Sequence, residues 1–91
     1  MVNGFTGTIR GRVQGVGFRY FAKNKADTLN LTGWVRNQPD GSVEVTAFGA
    51  PSSLEQFMQD LKAGPIGSRV ESAHFQWLQA STESERFEIR F

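Results

Sequence analysis

The sequence of 91 residues has no cysteine, one histidine, three prolines and no long apolar run. Without cysteine it has no disulfide, thiol nucleophile or thiolate metal ligand. With His74 as the only histidine, no His-based triad or histidine metal cluster can form, and we expect His74 to be a surface or edge residue. The first residues lack the basic and apolar regions of a secretory signal, and no segment is apolar enough to span a membrane. We therefore expect a cytoplasmic protein.

The charge also lacks a strong bias. Ten Lys and Arg residues oppose nine Asp and Glu residues, so the net charge is +1. Proteins that bind nucleic acids or anionic membranes usually carry a clear basic excess, and we expect neither partner here. The 38% of hydrophobic residues and 21% of charged residues are ordinary values for a globular protein, and the length suits a single domain over residues 1–91.

Residues 5 to 13 alternate between two classes of side chain, which predicts a half-buried strand. Polar residues form the outward face, and apolar or small residues form the inward face, namely Phe5, Gly7, Ile9, Gly11 and Val13. Gly7 and Gly11 add no buried side chain of their own. We expect them to leave space for a helix to pack closely on the sheet.

The strand runs into Gln14-Gly15-Val16-Gly17, and a helix follows from about Phe18. A helix start presents unpaired N–H groups and a positive dipole end, which together attract anions. Gly15 and Gly17 remove side chains that would separate these N–H groups from a phosphoryl group, and Arg19 adds a charged planar fork. Alone, such a glycine pattern is more often only a tight connection. Tyr20 replaces the third glycine of the dinucleotide fingerprint and no Walker pattern occurs, which argues against a nucleotide.

The rest of the chain alternates between helix and strand patterns. We predict a helix over residues 18–29 that ends with Asn30 in the left-handed conformation and Leu31 folded back as its hydrophobic contact. Strands follow at residues 33–37 and 42–48, joined by a hairpin turn over residues 38–41.

The second helix is predicted to begin with a capping box formed by Ser52 and Glu55 and to end at Gly64-Pro65. A fourth strand is predicted over residues 70–78, then a polar loop over residues 81–85 and a short strand over residues 87–91 whose sheet partner stays open. The large aromatic residues expected in the core are Phe18, Phe21, Trp34 and Phe57.

This order predicts an α+β protein, a ferredoxin-like βαββαβ sandwich with an extra C-terminal strand. Two helices should cover one face of a mainly antiparallel sheet. The first crossover makes strands one and two run in the same direction, so their carboxyl ends lie at the same end of the sheet. The glycine loop and Asn37 should therefore lie near each other.

Two segments resemble the acylphosphatases, small enzymes that hydrolyse the mixed anhydride between a carboxylate and phosphate. Gly11 to Arg19 is similar to the signature loop of that family. The run Gly33-Trp34-Val35-Arg36-Asn37, followed by Asp40-Gly41-Ser42-Val43-Glu44, is similar to the strand that carries the catalytic asparagine and to its hairpin. The similarity continues through Gly64-Pro65 to the terminal Phe87-Glu88-Ile89-Arg90-Phe91, so it covers nearly the whole chain.

The resemblance implies a catalytic pair. Arg19 would bind two phosphoryl oxygens, and Asn37 would hold the attacking water, although by itself Asn37 is more simply explained as a turn residue. The implied phosphate-binding residues are Gln14, Gly15, Val16, Gly17, Phe18 and Arg19. The family implies no metal and no cofactor, a small-molecule acyl phosphate as substrate, inorganic phosphate or sulfate as a site ligand, and a monomer.

Two other functions remain open at this point. The first is an acylphosphatase-like module that binds phosphate or carbamoyl phosphate without physiological hydrolysis, as in larger maturation enzymes. The second is an RNA-binding ferredoxin-like module, which predicts exposed aromatic residues on strands one and three in a basic setting. Strand one instead exposes Thr6, Thr8, Arg10 and Arg12, which disfavours RNA binding.

Overall fold

A computed structural model describes residues 3–79 and 85–91. In chain order its elements are β1 (Asn3–Arg12), α1 (Phe18–Thr28), β2 (Thr32–Asn37), β3 (Val43–Gly49), α2 (Pro51–Ala63), β4 (Arg69–Gln79) and β5 (Phe87–Arg90). The strands form one sheet in the order β4-β1-β3-β2-β5. The predicted ferredoxin-like fold with an added strand is confirmed. Of the predicted polar loop, residues 81–84 lie outside the described residues.

The strand directions bring three strand ends together. β1 and β2 both run antiparallel to β3, and Ile9 and Asn37 both pair with Val43. β5 pairs with β2 in parallel, which names the sheet partner that the sequence left open. The carboxyl ends of β1, β2 and β5 therefore lie at one end of the sheet, called the loop end below.

The core lies between the sheet and the two helices. Phe57 of α2 packs against Phe5 of β1 and Phe87 of β5, with ring centroids 6.0 and 5.7 Å apart. Phe18 and Phe57 are buried as predicted, whereas Phe21 and Trp34 are only half-buried and lie outside the core cluster. The prediction for Trp34 was wrong because successive strand residues point to opposite faces, and β2 buries its neighbour Val35 instead.

The end of α1 follows its sequence signal, and the start of α2 does not. Asn30 has a φ of 57°, and the N–H groups of Asn30 and Leu31 donate to the carbonyls of Asp27 and Ala26, which is a Schellman ending. The predicted capping box is wrong. α2 begins one residue before Ser52, at Pro51, and its N-cap residue makes no side-chain hydrogen bond.

The inward glycines of β1 make room for β4 rather than for a helix. A Cβ at Gly7 would collide with the ring of Phe75, and a Cβ at Gly11 would collide with the backbone at Arg69. At Gly11 the pairing between β1 and β4 shifts register, and its φ of 126° favours glycine. The expectation of a helix packed close at these positions was therefore wrong.

Candidate active site

The loop between β1 and α1 has the backbone geometry of an anion-binding nest. Gly15 and Gly17 have φ values of 74° and 76°, and Asn30 is the only non-glycine residue with positive φ within residues 3–79 and 85–91. Gln14 and Val16 therefore have negative φ, so the sign of φ alternates along the loop, as it does in backbone nests that bind anions. A Cβ at Gly15 or Gly17 would point into open space, so these glycines are needed for their φ.

The N–H groups of this loop have no partner among the described residues. No hydrogen bond there uses the N–H groups of residues 14 to 19, and the first bond of α1 is donated by Phe21 to the carbonyl of Gly17. The helix start has no side-chain cap and no acidic residue in its first turn. Free N–H groups and the positive end of the dipole thus coincide, which is the arrangement that stabilises a bound anion.

Arg19 lies in the first turn of α1, where a cation opposes the helix dipole. The carboxylates of the nearby hairpin are engaged by other arginines. Asp40 pairs with Arg10 at 3.0 Å, and Glu44 pairs with Arg36 at 2.9 Å. Within the described residues, Arg19 forms no salt bridge, and its guanidinium lies 4.6 Å from the ring centroid of Phe91. The positive charge of Arg19 is therefore available to an anion.

Asn37, at the end of β2, lies beside the same loop and Arg19. It ends the strand two residues after buried Val35 and so shares its helix-covered face. A cavity of about 170 Å³ brings it together with Arg19 and the loop. Among the described residues, the cavity is lined by Val13, Gly15, Gly17, Phe18, Arg19, Tyr20 and Asn37. The prediction from strand direction, that the loop and Asn37 lie near each other, is therefore confirmed.

The hairpin after Asn37 is held by polar contacts. The Ser42 side-chain oxygen lies 2.6 Å from Asp40 Oδ1 and 2.7 Å from Gln38 Oε1, although Ser42 is only 1% exposed. The hydroxyl and N–H of Ser42, with the Arg10 guanidinium, lower the pKa of Asp40 to about 2. The Asp40 carboxylate is therefore held by Ser42 and Arg10 within the hairpin.

Gln14 differs from the other predicted phosphate-binding residues. Its side-chain Nε2 lies 2.8 Å from the carbonyl oxygen of Gln38 and 2.9 Å from that of Ser42, so the side chain faces the hairpin. Val16 packs against the core cluster. Neither residue lines the cavity, and both can contribute only backbone N–H groups to it.

His74 lies away from the cavity. It is exposed on β4, an edge strand, as predicted, and it borders a second cavity of about 360 Å³ with Thr8 and Glu44. In the described part of the chain, no group of three or more His, Asp or Glu side chains is placed to hold a metal ion. Neither helix described here is long and apolar enough to cross a membrane.

Sequence reasoning missed two neighbours of the site. The Gln14 side-chain bonds to the hairpin join residues far apart in the chain and carry no local signal. Phe91 was placed only as the last residue of a strand. β5 pairs in parallel with β2, and Arg90 lies opposite Arg36. A prediction of this pairing would have placed Phe91 at the loop end, beside Arg19.

Comparison with known proteins assigns the family. The acylphosphatase profile matches residues 5–89. This chain belongs to the acylphosphatase family. An acylphosphatase of Salinibacter ruber is 45% identical over 90% of this chain and 86% of its own length. The crystal structure of the acylphosphatase from Bacillus subtilis is similar over the whole of both chains, with a TM-score of 0.94 and 37% identity.

The same fold also occurs as part of a larger protein. Full-length HypF, crystallised in a phosphate- and nucleotide-bound form, matches all of this chain with a TM-score of 0.87 and 26% identity. The match covers only 12% of HypF. The extent and identity of the acylphosphatase matches identify the present protein as an enzyme with acylphosphatase activity, whose substrate is a small acyl phosphate.

Proposed function

We propose that the 170 Å³ cavity is the active site and that hydrolysis proceeds by direct attack of water on phosphorus. The loop N–H groups and Arg19 hold the phosphoryl group, and Asn37 orients the water opposite the carboxylate leaving group. One observation carries this proposal: Arg19, which lines the cavity, lies in a helix start whose N–H groups have no partner among residues 3–79 and 85–91, and Asn37 lines the same small space.

The chemistry needs little more than position and charge. The water oxygen forms a bond to phosphorus while the bond from phosphorus to the acyl oxygen breaks, and the products are a carboxylate and inorganic phosphate. The water proton passes to an oxygen of the phosphoryl group. A carboxylate leaves readily without protonation, so no general acid is needed, and the fixed donors stabilise charge on the equatorial oxygens.

The test separates binding from chemistry at Asn37. For Asn37→Ala, kcat should fall on the order of a hundredfold because an orienting hydrogen bond is lost, while inorganic phosphate should bind nearly as in the parent. Steady-state hydrolysis of acetyl phosphate measures kcat, and titration with inorganic phosphate measures its affinity. Asn24→Ala, at an exposed position of α1, is the matched control and should leave both unchanged. Parental turnover by a folded Asn37→Ala variant contradicts the water-positioning role.

A second candidate for the physiological role is a module that binds phosphate or carbamoyl phosphate without physiological hydrolysis. The observation that supports phosphate binding by such a module is the match to part of HypF, which was crystallised in a phosphate- and nucleotide-bound form. Assays on the unmodified protein distinguish the two proposals. Release of phosphate from acetyl, benzoyl and carbamoyl phosphate by the purified chain supports the enzyme. Saturable binding of phosphate and carbamoyl phosphate with no release above the spontaneous rate supports the module.

We further propose that residues 1–91 act as one domain, as a monomer in the cytoplasm, with inorganic phosphate or sulfate as a site ligand. A single core cluster with residues of both helices and four strands supports one domain, and the absence of cysteine agrees with a reducing compartment. Light scattering at micromolar concentration measures the oligomeric state, and a mass of twice 10.1 kDa contradicts the monomer.

A further inference from the structure

The side chain of Gln14 connects the loop between β1 and α1 to the hairpin between β2 and β3 through hydrogen bonds. Its Nε2 donates to the carbonyl oxygens of Gln38 at 2.8 Å and Ser42 at 2.9 Å. Both partners are acceptors, so only the amide NH₂ group can face them, and its two hydrogens are thereby used. The remaining Oε1 is itself an acceptor and has no attraction for phosphate. The side chain therefore joins two segments and is not a phosphate ligand.

One of these hydrogen bonds is accepted by Gln38, the residue directly after Asn37. The N–H of Gln38 donates to the carbonyl of Ser42 at 2.9 Å, and the N–H of Gly41 donates to the carbonyl of Gln38 at 3.1 Å. Gln14 thus bonds to the two carbonyls that close the base of the hairpin. Because Ser42 is 1% exposed and held by Asp40 and Gln38, this anchor is fixed in place.

Along the backbone, the loop and Asn37 are connected only through α1 and β2. The two hydrogen bonds of Gln14 join residues that are 24 and 28 positions apart in sequence. They give the loop and the hairpin a direct connection through one side chain. In an in-line attack, the water on Asn37 must face a phosphorus atom held by the loop, and a misplacement of about 1 Å costs about a hundredfold in rate. The relative position of the two segments is therefore a quantity on which turnover depends.

We propose that Gln14 is a positioning residue that sets the distance between Asn37 and the phosphoryl group. The inference rests on the proposed role of Asn37. Gln14 acts through the hairpin on turnover and leaves phosphate affinity to the loop N–H groups and Arg19. A residue that acts only through Asn37 has nothing to position once the Asn37 amide is removed.

A double-mutant cycle tests this dependence. Gln14→Met keeps the length of the side chain and removes both donors. We expect kcat to fall about tenfold and the dissociation constant of inorganic phosphate to change less than about threefold, while in the Asn37→Ala background Gln14→Met should change kcat less than about twofold. Gln14→Ala repeats the cycle with the side chain shortened, and thermal unfolding establishes that each variant is folded.

The control is Gln56→Met on α2, which removes a glutamine hydrogen bond to Asp60 on an exposed helix face. It should leave kcat unchanged in both backgrounds. A full tenfold loss on top of Asn37→Ala, a parental kcat for Gln14→Met, or a loss confined to phosphate affinity overturns the role of Gln14 alone. Parental turnover by Asn37→Ala overturns both this inference and the proposed role of Asn37.

Discussion

The two helices of this protein start in different ways, although both starts look alike by local criteria. Neither α1 nor α2 has a side-chain cap or an acidic residue in its first turn. Residues 13–17 lead into α1, and the φ sign alternates there because Gly15 and Gly17 are left-handed. α2 follows β3 through extended Ala50 and begins with Pro51, which has no N–H. Both dipoles are positive at the start, but the sign of φ alternates only before α1, since Ala50 and the first residues of α2 all have negative φ.

The surroundings of the two starts differ as well. Because β3 runs antiparallel to β1 and β2, α2 begins at the opposite end of the sheet from Asn37. Its first turn contains Ser52 and Ser53, whereas that of α1 contains Arg19. Under the proposed function, the anion site therefore combines an uncapped helix start with three further features. These are a loop with left-handed glycines, an arginine without a salt bridge in the described residues, and Asn37 from a second strand end.

The largest expected effect comes from removing the cation of the α1 start. Arg19→Ala should lower kcat/KM on the order of a hundredfold or more and weaken inhibition by inorganic phosphate, because the loop donors alone supply no full charge. Arg19→Lys should recover little, since a point charge lacks the bidentate fork. Steady-state kinetics with phosphate as inhibitor measures both. Near-parental inhibition by phosphate in Arg19→Ala would refute the assignment.

The next effect concerns the backbone of the loop. Gly17→Ala places a side chain at a φ of 76°, which should cost about 1–2 kcal/mol in the free energy of unfolding and lower turnover by about tenfold as the nest distorts. Gly67→Ala is the matched control, because Gly67 also has positive φ and open space at its Cβ but lies in the turn before β4. Denaturant unfolding should show similar losses for both. Equal turnover in the two variants would mean that the loop conformation is irrelevant to catalysis.

A smaller effect is expected where the ring of Phe91 supports Arg19. Phe91→Leu should raise the dissociation constant of phosphate by about two- to fivefold, since an exposed cation–π contact is worth about 0.5–1 kcal/mol. Phe91→Tyr should restore the parental value because the ring is kept. Ile66→Ala, at another fully exposed apolar position, serves as control. An unchanged constant in Phe91→Leu would leave the ring without a role in orienting Arg19.

The smallest expected effect concerns the start of α2 and tests whether the two helix starts are alike in lacking a side-chain cap. Because α2 lacks a side-chain cap, Ser52→Ala should change the free energy of unfolding by less than about 0.5 kcal/mol, whereas loss of a true N-cap costs about 1 kcal/mol. Chemical denaturation monitored by tryptophan fluorescence gives the value. A loss near 1 kcal/mol would show that Ser52 caps the helix in solution, and the two helix starts would then differ in capping too.

Local patterns predicted most of the fold, and strand direction predicted that the loop and Asn37 lie near each other. The alternation over residues 5–13 reports burial directly, and the ending at Asn30 follows from the tolerance of asparagine for positive φ. The capping box failed because its pattern fits any Ser and Glu three residues apart, and Pro51 starts the helix one residue earlier. Trp34 failed because hydrophobicity alone does not say which face of a strand is covered.

The sequence by itself determined the loop, since glycine at positions 15 and 17 permits the alternating φ and Arg19 follows directly in the helix. It also determined that Asn37 ends a strand parallel in direction to β1, because a right-handed crossover connects them. Only the tertiary structure decided the partners of these groups. The bonds from Gln14 to the hairpin and the ring of Phe91 beside Arg19 depend on strand pairing and register between distant segments. Such contacts are fixed by packing of the whole sheet, and no local pattern in the chain records them.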